Sequence, residues 1–294
     1  MNEKKYSYNT DMADERVDEY KVINNMSSID GIEINEQKYD EFKITQVEVK
    51  NENGANAIDK KIGKYITFEM ENIKFLDDRQ KVIDKLKEYI KELISQGKES
   101  VLVVGLGNMY VTPDALGSKV VKGIDVTRHI LKLTKDILSE DTREVSAICP
   151  GVMGNTGIQT SEIISSVSKI VNPKYVIVID SLMSKSIKRV GASIQISNTG
   201  ITPGSGITGI NTQIDEETTN AKVISIGVPM VVDMATITND ALNKIENATD
   251  ERNERYQKIA QILDTENYIV TPKDIDELIE IMSDIISQSI NEAM

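Results

Sequence analysis

The chain has 294 residues, with 47 acidic against 34 basic side chains and a net charge of −13 at neutral pH. This length suits one large domain or two small ones, and the negative charge argues against a nucleic-acid backbone as a partner. The single cysteine excludes an internal disulfide bond, and the single histidine excludes a multi-histidine metal site. Apolar runs fall short of the roughly 18 residues that a membrane span needs, and the polar first twenty residues do not resemble a secretory signal.

The N-terminal forty residues show no sustained period, so we expect them to be loosely ordered or to lie on the surface. Strand-like stretches follow at residues 44–49 and 65–68, and together they predict an antiparallel pair. An amphipathic helix is predicted next. Asp77 or Asp78 caps this helix, and Gly97 ends it.

From residue 100 onward, short apolar runs alternate with amphipathic segments. The runs are typical of strands that are buried on both faces of a parallel sheet; they lie at 101–104, 145–148, 175–179, 194–196 and 223–226. Helices are predicted at 126–138, 161–170, 182–190, 240–246, 251–263 and after Pro272. This alternation predicts an α/β fold, with a mainly parallel sheet flanked by helices and a small N-terminal β-rich extension.

Two carboxylates follow predicted strands, at the edge where an open α/β sheet binds ligands. Asp180 comes directly after its strand, and Asp114 lies in the loop after the first apolar run, behind the stiffening Pro113. Two acids that meet in a partly dry cleft tend to share one proton, so that one activates water and the other protonates a leaving group. The alternative is that each acid caps the helix after it.

Three glycine-containing loops are candidates for binding an anion or a nucleotide. Residues 105–108 begin like a nucleotide-binding turn but lack the third glycine of the fingerprint. The backbone amides of the other two loops are candidates to stabilise an oxyanion, with plain tight turns as the alternative. Their residues are Gly154 and Gly157 in one loop, and Gly204, Ser205 and Gly206 in the other.

A series of short motifs runs in order through the middle of the chain. They are VVGLGN at 103–108, VTPDALG at 111–117, VTRH at 126–129, PGVMG at 150–154, TGI at 156–158, IQIS at 194–197, TGI at 199–201, PGSG at 203–206, IGVP at 226–229 and VVD at 231–233. In this order they resemble the germination protease family, peptidase family A25, of spore-forming Firmicutes. The resemblance covers nearly the whole chain.

The resemblance implies an aspartic-type endopeptidase that initiates the degradation of small acid-soluble spore proteins during germination. It also implies a self-processing zymogen, a homotetramer, a location in the cytoplasm of the forespore or spore core, and a fold similar to that of the hydrogenase-maturing endopeptidases. The catalytic acids of the family fall on Asp114 and Asp180. We expect no cofactor, no metal at the site, no direct binding to nucleic acid and no membrane association.

The resemblance further implies cleavage after an acidic residue that is followed by a large apolar residue and then alanine. The segment from Thr10 to Ala13 has this form, which predicts self-cleavage between Asp11 and Met12. An arbitrary acidic tail is the alternative. The predicted boundaries are 1–11 for the pro-segment, 12–294 for a single peptidase domain, about 65–250 for its core and 251–294 for its C-terminal helices.

Two other functions stay open. The turn at 105–108 and the acid after it also resemble the hydrogenase-maturing endopeptidases, in which case Asp114, Asp180 and His129 would be ligands of a metal ion that activates water. The other alternative is a non-catalytic α/β protein that binds a nucleotide at the same turn.

Overall fold

The computed structural model describes residues 10–71, 73–76, 79–95, 97–133, 142–202, 213–243, 258–259, 262–263 and 268–294. Helices α1 to α10 are Ala13–Asn24, Glu52–Ile58, Arg79–Leu93, Leu116–Lys122, Arg128–Leu133, Met153–Thr156, Thr160–Val171, Glu216–Thr219, Met234–Asn243 and Ile275–Ala293. Strands β1 to β9 are Ile32–Lys38, Phe42–Val49, Gly63–Met70, Val101–Gly105, Val145–Ile148, Tyr175–Ser184, Ser193–Ser197, Lys222–Asp233 and Ile269–Val270. No helix within these residues is long and apolar enough to cross a membrane.

The nine strands form one mixed sheet in the order β1-β2-β3-β7-β8-β6-β4-β5, and β9 pairs with β8. The pairs β4–β5, β4–β6 and β6–β8 are parallel, whereas the pairs that link β1, β2, β3, β7 and β8 are antiparallel. The predicted α/β class is confirmed, and the predicted antiparallel pair corresponds to β2 and β3. The antiparallel part is larger than the predicted extension because β1 and β7 join it.

Helices α3, α4 and α10 cover one face of the sheet and enclose the main core. Alternate residues of the strands point to this face, for example Phe68, Ile194 and Ile226, and all three are fully buried. Leu86 of α3 and Ile279 of α10 are equally buried against them. Both helices follow the predicted helical spacing of apolar residues.

The opposite face carries two smaller apolar clusters, one around Val178 of β6 and one around Val47 of β2, and a polar row that crosses the middle strands. Thr67 of β3 pairs with Gln195 of β7, Gln195 pairs with Gly227 of β8, and Gly227 pairs with Asp180 of β6. Residues that lie directly opposite one another on neighbouring strands project from the same face. Asp180 therefore emerges from the sheet in a row of small and polar residues.

Residues 13–24 form helix α1, whereas the sequence predicts a segment that is loosely ordered or lies on the surface. Ala13 and Val17 pack against Val47 of β2, and the Arg189 guanidinium binds the Asp14 carboxylate at 2.6 Å. Acidic residues in the first turn of α1 are buried along with the apolar ones. Because charged residues share the buried face of α1 with apolar ones, the periodicity of apolar residues in this segment is weak. Ion pairing compensates part of the cost of burying the charges.

The helix predicted at 182–190 is not formed. Strand β6 instead continues to Ser184, because its pairing with β8 extends as far as Val232, and a short 3-10 helix at Ile187–Arg189 follows. The caps Asp77 and Asp78 lie outside the described residues. So do residues 134–138, residues 244–246 and most of 251–263, all predicted to be helical.

Gly105 ends β4 at the point where α4 lies against the strand. A Cβ atom on Gly105 would lie 2.2 Å from the backbone oxygen of Gly117, so it would push α4 away. We expect Gly105→Ala to lower the free energy of unfolding by about 1–3 kcal/mol, as overpacking does, measured by urea denaturation. Gly154→Ala is the control, since a Cβ there meets no atom within 4 Å. Equal effects of the two variants would contradict this account of the packing.

Candidate active site

Asp180 lies within β6, and only 9% of its surface is exposed. Its Oδ1 accepts a hydrogen bond from the backbone N–H of Ser181 at 2.9 Å, and among the described residues it has no basic partner. Burial raises the pKa of Asp180 well above its usual range. The loop after β4 lies beside Asp180, since the Leu106 N–H donates to the Ile179 carbonyl at 2.8 Å, and the negative charge of Asp114 raises the pKa of Asp180 further.

Asp114 ends the 3-10 helix Thr112–Asp114 and is half-buried. Its Oδ2 accepts a hydrogen bond from the backbone N–H of Asn108 at 2.7 Å. Burial raises the pKa of Asp114, and the hydrogen bond from Asn108 opposes this shift. The structure thus brings together one buried acid and one half-buried acid, two environments that are suited to different protonation states.

The glycine turn after β4 is filled by the Asp114 segment of the same chain. Gly107 has a φ of +94°, and a Cβ atom there would lie 2.1 Å from the carbonyl oxygen of Asp114 and 2.7 Å from its Oδ1. Glycine is therefore required for the close approach of Asp114 to the end of the strand. The predicted nucleotide-binding alternative gains no support, because the turn packs against protein.

The loop that carries Gly154 and Gly157 lies beside the Asp114 loop, since Asn155 Nδ2 donates to Asn108 Oδ1 at 3.2 Å. Gly157 has a φ of +71°, and a Cβ at either glycine would meet no atom within 4 Å. Their role in stabilising an oxyanion stays a prediction. The other candidates, Gly204, Ser205 and Gly206, lie outside the described residues.

The predicted processing segment lies against the same strand as Asp180. The N–H of Asp11 donates to the carbonyl of Met183 at 2.9 Å, and the Met183 N–H donates to Asp11 Oδ2 at 2.8 Å. The negative charge of Asp11 also contributes to the raised pKa of Asp180. Met12, on the other side of the predicted bond, is fully buried. The structure therefore places Asp11 against the strand that carries Asp180, with Met12 buried next to it.

Two side chains bind the carbonyl oxygen of the predicted scissile bond. Lys60 Nζ lies 2.9 Å and Gln195 Nε2 lies 3.3 Å from the Asp11 oxygen. Sequence analysis singles out neither residue. A polar residue between two apolar ones in a strand, as Gln195 is between Ile194 and Ile196, could have indicated a functional position. Lys60 lies in a charged stretch, and nothing there distinguishes it from its neighbours.

Buried polar contacts hold the segment on both sides of Asp11. Glu15 is 2% exposed and accepts hydrogen bonds from Ser184 Oγ and from the Lys185 N–H, each at 2.8 Å. The Thr10 hydroxyl donates to the same carboxylate. These contacts fix the chain before and after the predicted scissile bond.

His129 is exposed on α5. Within the part of the chain that the structure describes, no three His, Cys, Asp or Glu side chains are grouped as ligands for a metal ion. The donor set of the metal-dependent alternative, which combines His129 with Asp114 and Asp180, is therefore not assembled in this geometry.

A cavity of about 550 Å³ lies apart from the acid pair. Its lining includes Lys61, Asn198 and Asp215, and neither Asp114 nor Asp180 contributes to it. The acid pair is approached by the chain's own N-terminal segment instead.

The family model and the curated relatives agree on one family. The family model Peptidase A25, described as germination protease, matches residues 9–263. The germination protease of a Clostridium perfringens strain is 42% identical over 98% of this chain and 95% of its own length, and that of Clostridium tetani is 39% identical over 98% and 95%. The germination protease of Priestia megaterium is 45% identical over 82% of this chain and 67% of its own. Among solved structures, the NiFe hydrogenase maturation protease HycI from Thermococcus kodakarensis KOD1 matches 70% of this chain and 98% of its own, with 14% identity and a TM-score of 0.35.

The buried Asp180 carboxyl makes stability depend on pH. Because its pKa is raised in the folded chain, the folded state holds this proton more tightly than the unfolded state, and stability falls as the pH rises above the ordinary aspartate pKa. We expect Asp180→Asn to be more stable than the wild type near neutral pH, with a difference that shrinks towards a pH of about 4. Urea denaturation across this range measures the effect.

Asp284→Asn is the matched control, because Asp284 is exposed on α10. We expect this variant to stay within about 0.5 kcal/mol of the wild type at every pH. An Asp180→Asn variant that is less stable than the wild type at neutral pH would contradict the account of Asp180 burial.

Proposed function

This chain belongs to the germination protease family, and on that premise we propose that it is an endopeptidase in which Asp114 and Asp180 are the catalytic acids. Membership of the family supports a peptidase that acts in spore germination. The observation that carries the choice of acids is the burial of the Asp180 carboxyl beside Asp114, which raises the pKa of Asp180. Acids and bases of catalytic sites commonly have pKa values that are perturbed in this way.

The environments of the two acids divide their roles in the proposed reaction. Burial and the charge of Asp114 keep Asp180 protonated at pH values at which Asp114 is ionised. Asp114 then accepts a proton from water as the water attacks the carbonyl carbon of the substrate. Asp180 donates its proton to the leaving nitrogen as the C–N bond breaks.

The proposed substrates are small acid-soluble spore proteins, cut after an acidic residue that is followed by a large apolar residue. The contacts of the chain's own segment support this preference. The Met183 N–H binds the acidic side chain of Asp11, and the next side chain, Met12, is fully buried.

We further propose that the same acids cut the chain between Asp11 and Met12. Residues 1–11 are then a pro-segment, and residues 12–294 are the peptidase domain. Assembly into a homotetramer and a location in the forespore or spore core complete the proposal, and both rest on the family resemblance.

Replacement of either acid tests the mechanism. We expect Asp114→Asn and Asp180→Asn each to slow the cleavage of a small acid-soluble spore protein by at least about 100-fold, because each removes an acid–base group. Cleavage is followed by mass spectrometry of the products, and circular dichroism checks the fold. Asp284→Asn is again the control, and a catalytic variant with activity close to this control would remove that acid from the mechanism.

Self-processing is tested on the full-length chain. We expect N-terminal sequencing of incubated protein to find a new chain that begins at Met12, and we expect Asp11→Ala to prevent its appearance. Asp18→Ala is the matched control, because Asp18 is an exposed acid on α1. A wild-type chain that keeps Met1 over the whole pH range of stability would refute self-processing.

A further inference from the structure

We propose that Lys60 and Gln195 form the oxyanion site of this enzyme and polarise the carbonyl group that water attacks. In the structure they bind the carbonyl oxygen of Asp11, and in later reactions they bind the equivalent oxygen of another polypeptide substrate. The inference rests on the proposed peptidase function and adds two catalytic residues to the acid pair. These two side chains then take the role that glycine-loop amides fill in other hydrolases.

Both donors converge on a single oxygen atom. Lys60 Nζ lies at 2.9 Å, within the range that is typical of oxyanion-site donors, and Gln195 Nε2 lies at 3.3 Å. This oxygen becomes negatively charged when water adds to the carbonyl carbon. A longer contact such as that of Gln195 shortens as the charge develops, because hydrogen bonds at catalytic sites tighten towards the transition state.

The orientation of the Gln195 amide is set by the substrate segment itself. Its Oε1 accepts the backbone N–H of Ala13 at 2.8 Å, so its Nε2 faces the Asp11 carbonyl. The Gln195 side chain therefore forms hydrogen bonds with the polypeptide on both sides of the Asp11–Met12 bond. Because Gln195 is only 8% exposed, water competes weakly for these hydrogen bonds.

The charge of Lys60 is available to the carbonyl oxygen. Within the described residues its ammonium forms no salt bridge, and its hydrogen bond goes to the Asp11 carbonyl. Its backbone is fixed after α2 by a hydrogen bond from its N–H to the carbonyl of Ala55 at 3.1 Å. Burial lowers the pKa of Lys60, and the charge of Asp11 opposes this shift. A partly desolvated cation stabilises a developing negative charge more strongly than one in water.

The sheet register places Gln195 on the same face of the sheet as Asp180, with β8 between them. Gln195 and Asp180 pair with the same residue, Gly227, from its two sides. They therefore leave the same face of the sheet about 10 Å apart, which is two strand spacings. The Asp11 segment contacts Gln195 through its carbonyl, and the charge of its carboxylate reaches Asp180.

The reaction balances with water alone. The water oxygen bonds to the Asp11 carbonyl carbon, the π electrons move to the carbonyl oxygen held by Lys60 and Gln195, and the water proton passes to ionised Asp114. When the C–N bond breaks, the Met12 nitrogen takes the proton of Asp180. The products are a carboxyl group on Asp11 and an amine on Met12, and the acid pair still holds one proton.

The experiment measures the rate of self-cleavage of the full-length chain by mass spectrometry. We expect Lys60→Met and Gln195→Met each to slow it by at least about 100-fold, as the loss of an oxyanion-site donor does. Lys60→Arg keeps the cation but replaces a compact point charge by a planar group, so we expect it to cleave more slowly than the wild type and faster than Lys60→Met. Lys61→Met and Gln46→Met are the matched controls, since Lys61 binds Asp215 and Gln46 binds Tyr89.

A second measurement separates charge stabilisation from simple anchoring of the segment. In an Asp180→Asn background, which prevents cleavage, hydrogen exchange of residues 10–24 reports whether the segment stays bound. We expect Lys60→Met to leave this protection unchanged. A loss of protection that accompanies the loss of rate would overturn the oxyanion role and leave an anchor only.

The outcomes distinguish this inference from the proposed function. If the wild type cleaves and the two acid variants do not, but Lys60→Met and Gln195→Met cleave within about 3-fold of the wild type, the oxyanion role is wrong and the acid mechanism stands. If the wild type does not cleave its own chain, self-processing and the oxyanion role are both wrong.

Discussion

The burial of the Asp180 carboxyl without a basic partner among the described residues is the constraint to which the rest of the site conforms. A charge in this position is costly, so the group retains its proton to a higher pH than an exposed aspartate. Asp114, held half-buried by the N–H of Asn108, adds a second charge nearby. One acid thus lies inside a strand and the other in the loop after a neighbouring strand, and the charge of Asp114 raises the pKa of Asp180.

The N-terminal segment reaches these acids because charged and polar groups bind it along β6 and beyond. Met183 binds Asp11 through its backbone, and Ser184 binds Glu15. Arg189 then pairs with Asp14 in the first turn of α1. These contacts between the N-terminal segment and the rest of the chain are ion pairs and hydrogen bonds. Such contacts depend on direction as well as distance, so they fix the orientation of the segment.

The sequence predicts most of the sheet, because strands such as β4 are buried on both faces and therefore read as continuous apolar runs. It misplaces a helix at 182–190, because the apolar residues there extend a strand whose partner, β8, lies far along the chain. The position of Asp114 in the loop after β4 is also predictable, whereas Asp180 lies inside its strand because β6 continues to Ser184. Lys60 and Gln195 are not predictable, since their contacts with Asp11 join residues that are 49 and 184 positions apart.

Because α1 begins directly after Met12, the two new chain ends of a cut at Asp11–Met12 would lie in different environments. The new ammonium group would stand at the first turn of α1, where Asp14 and Glu15 offset both that charge and the positive end of the helix dipole. The new carboxylate would appear on Asp11, where the charge of Asp180 repels it and the Lys60 ammonium attracts it. The new N-terminus would therefore be stabilised by the helix that follows it, whereas the released end would depend on the balance of these two charges.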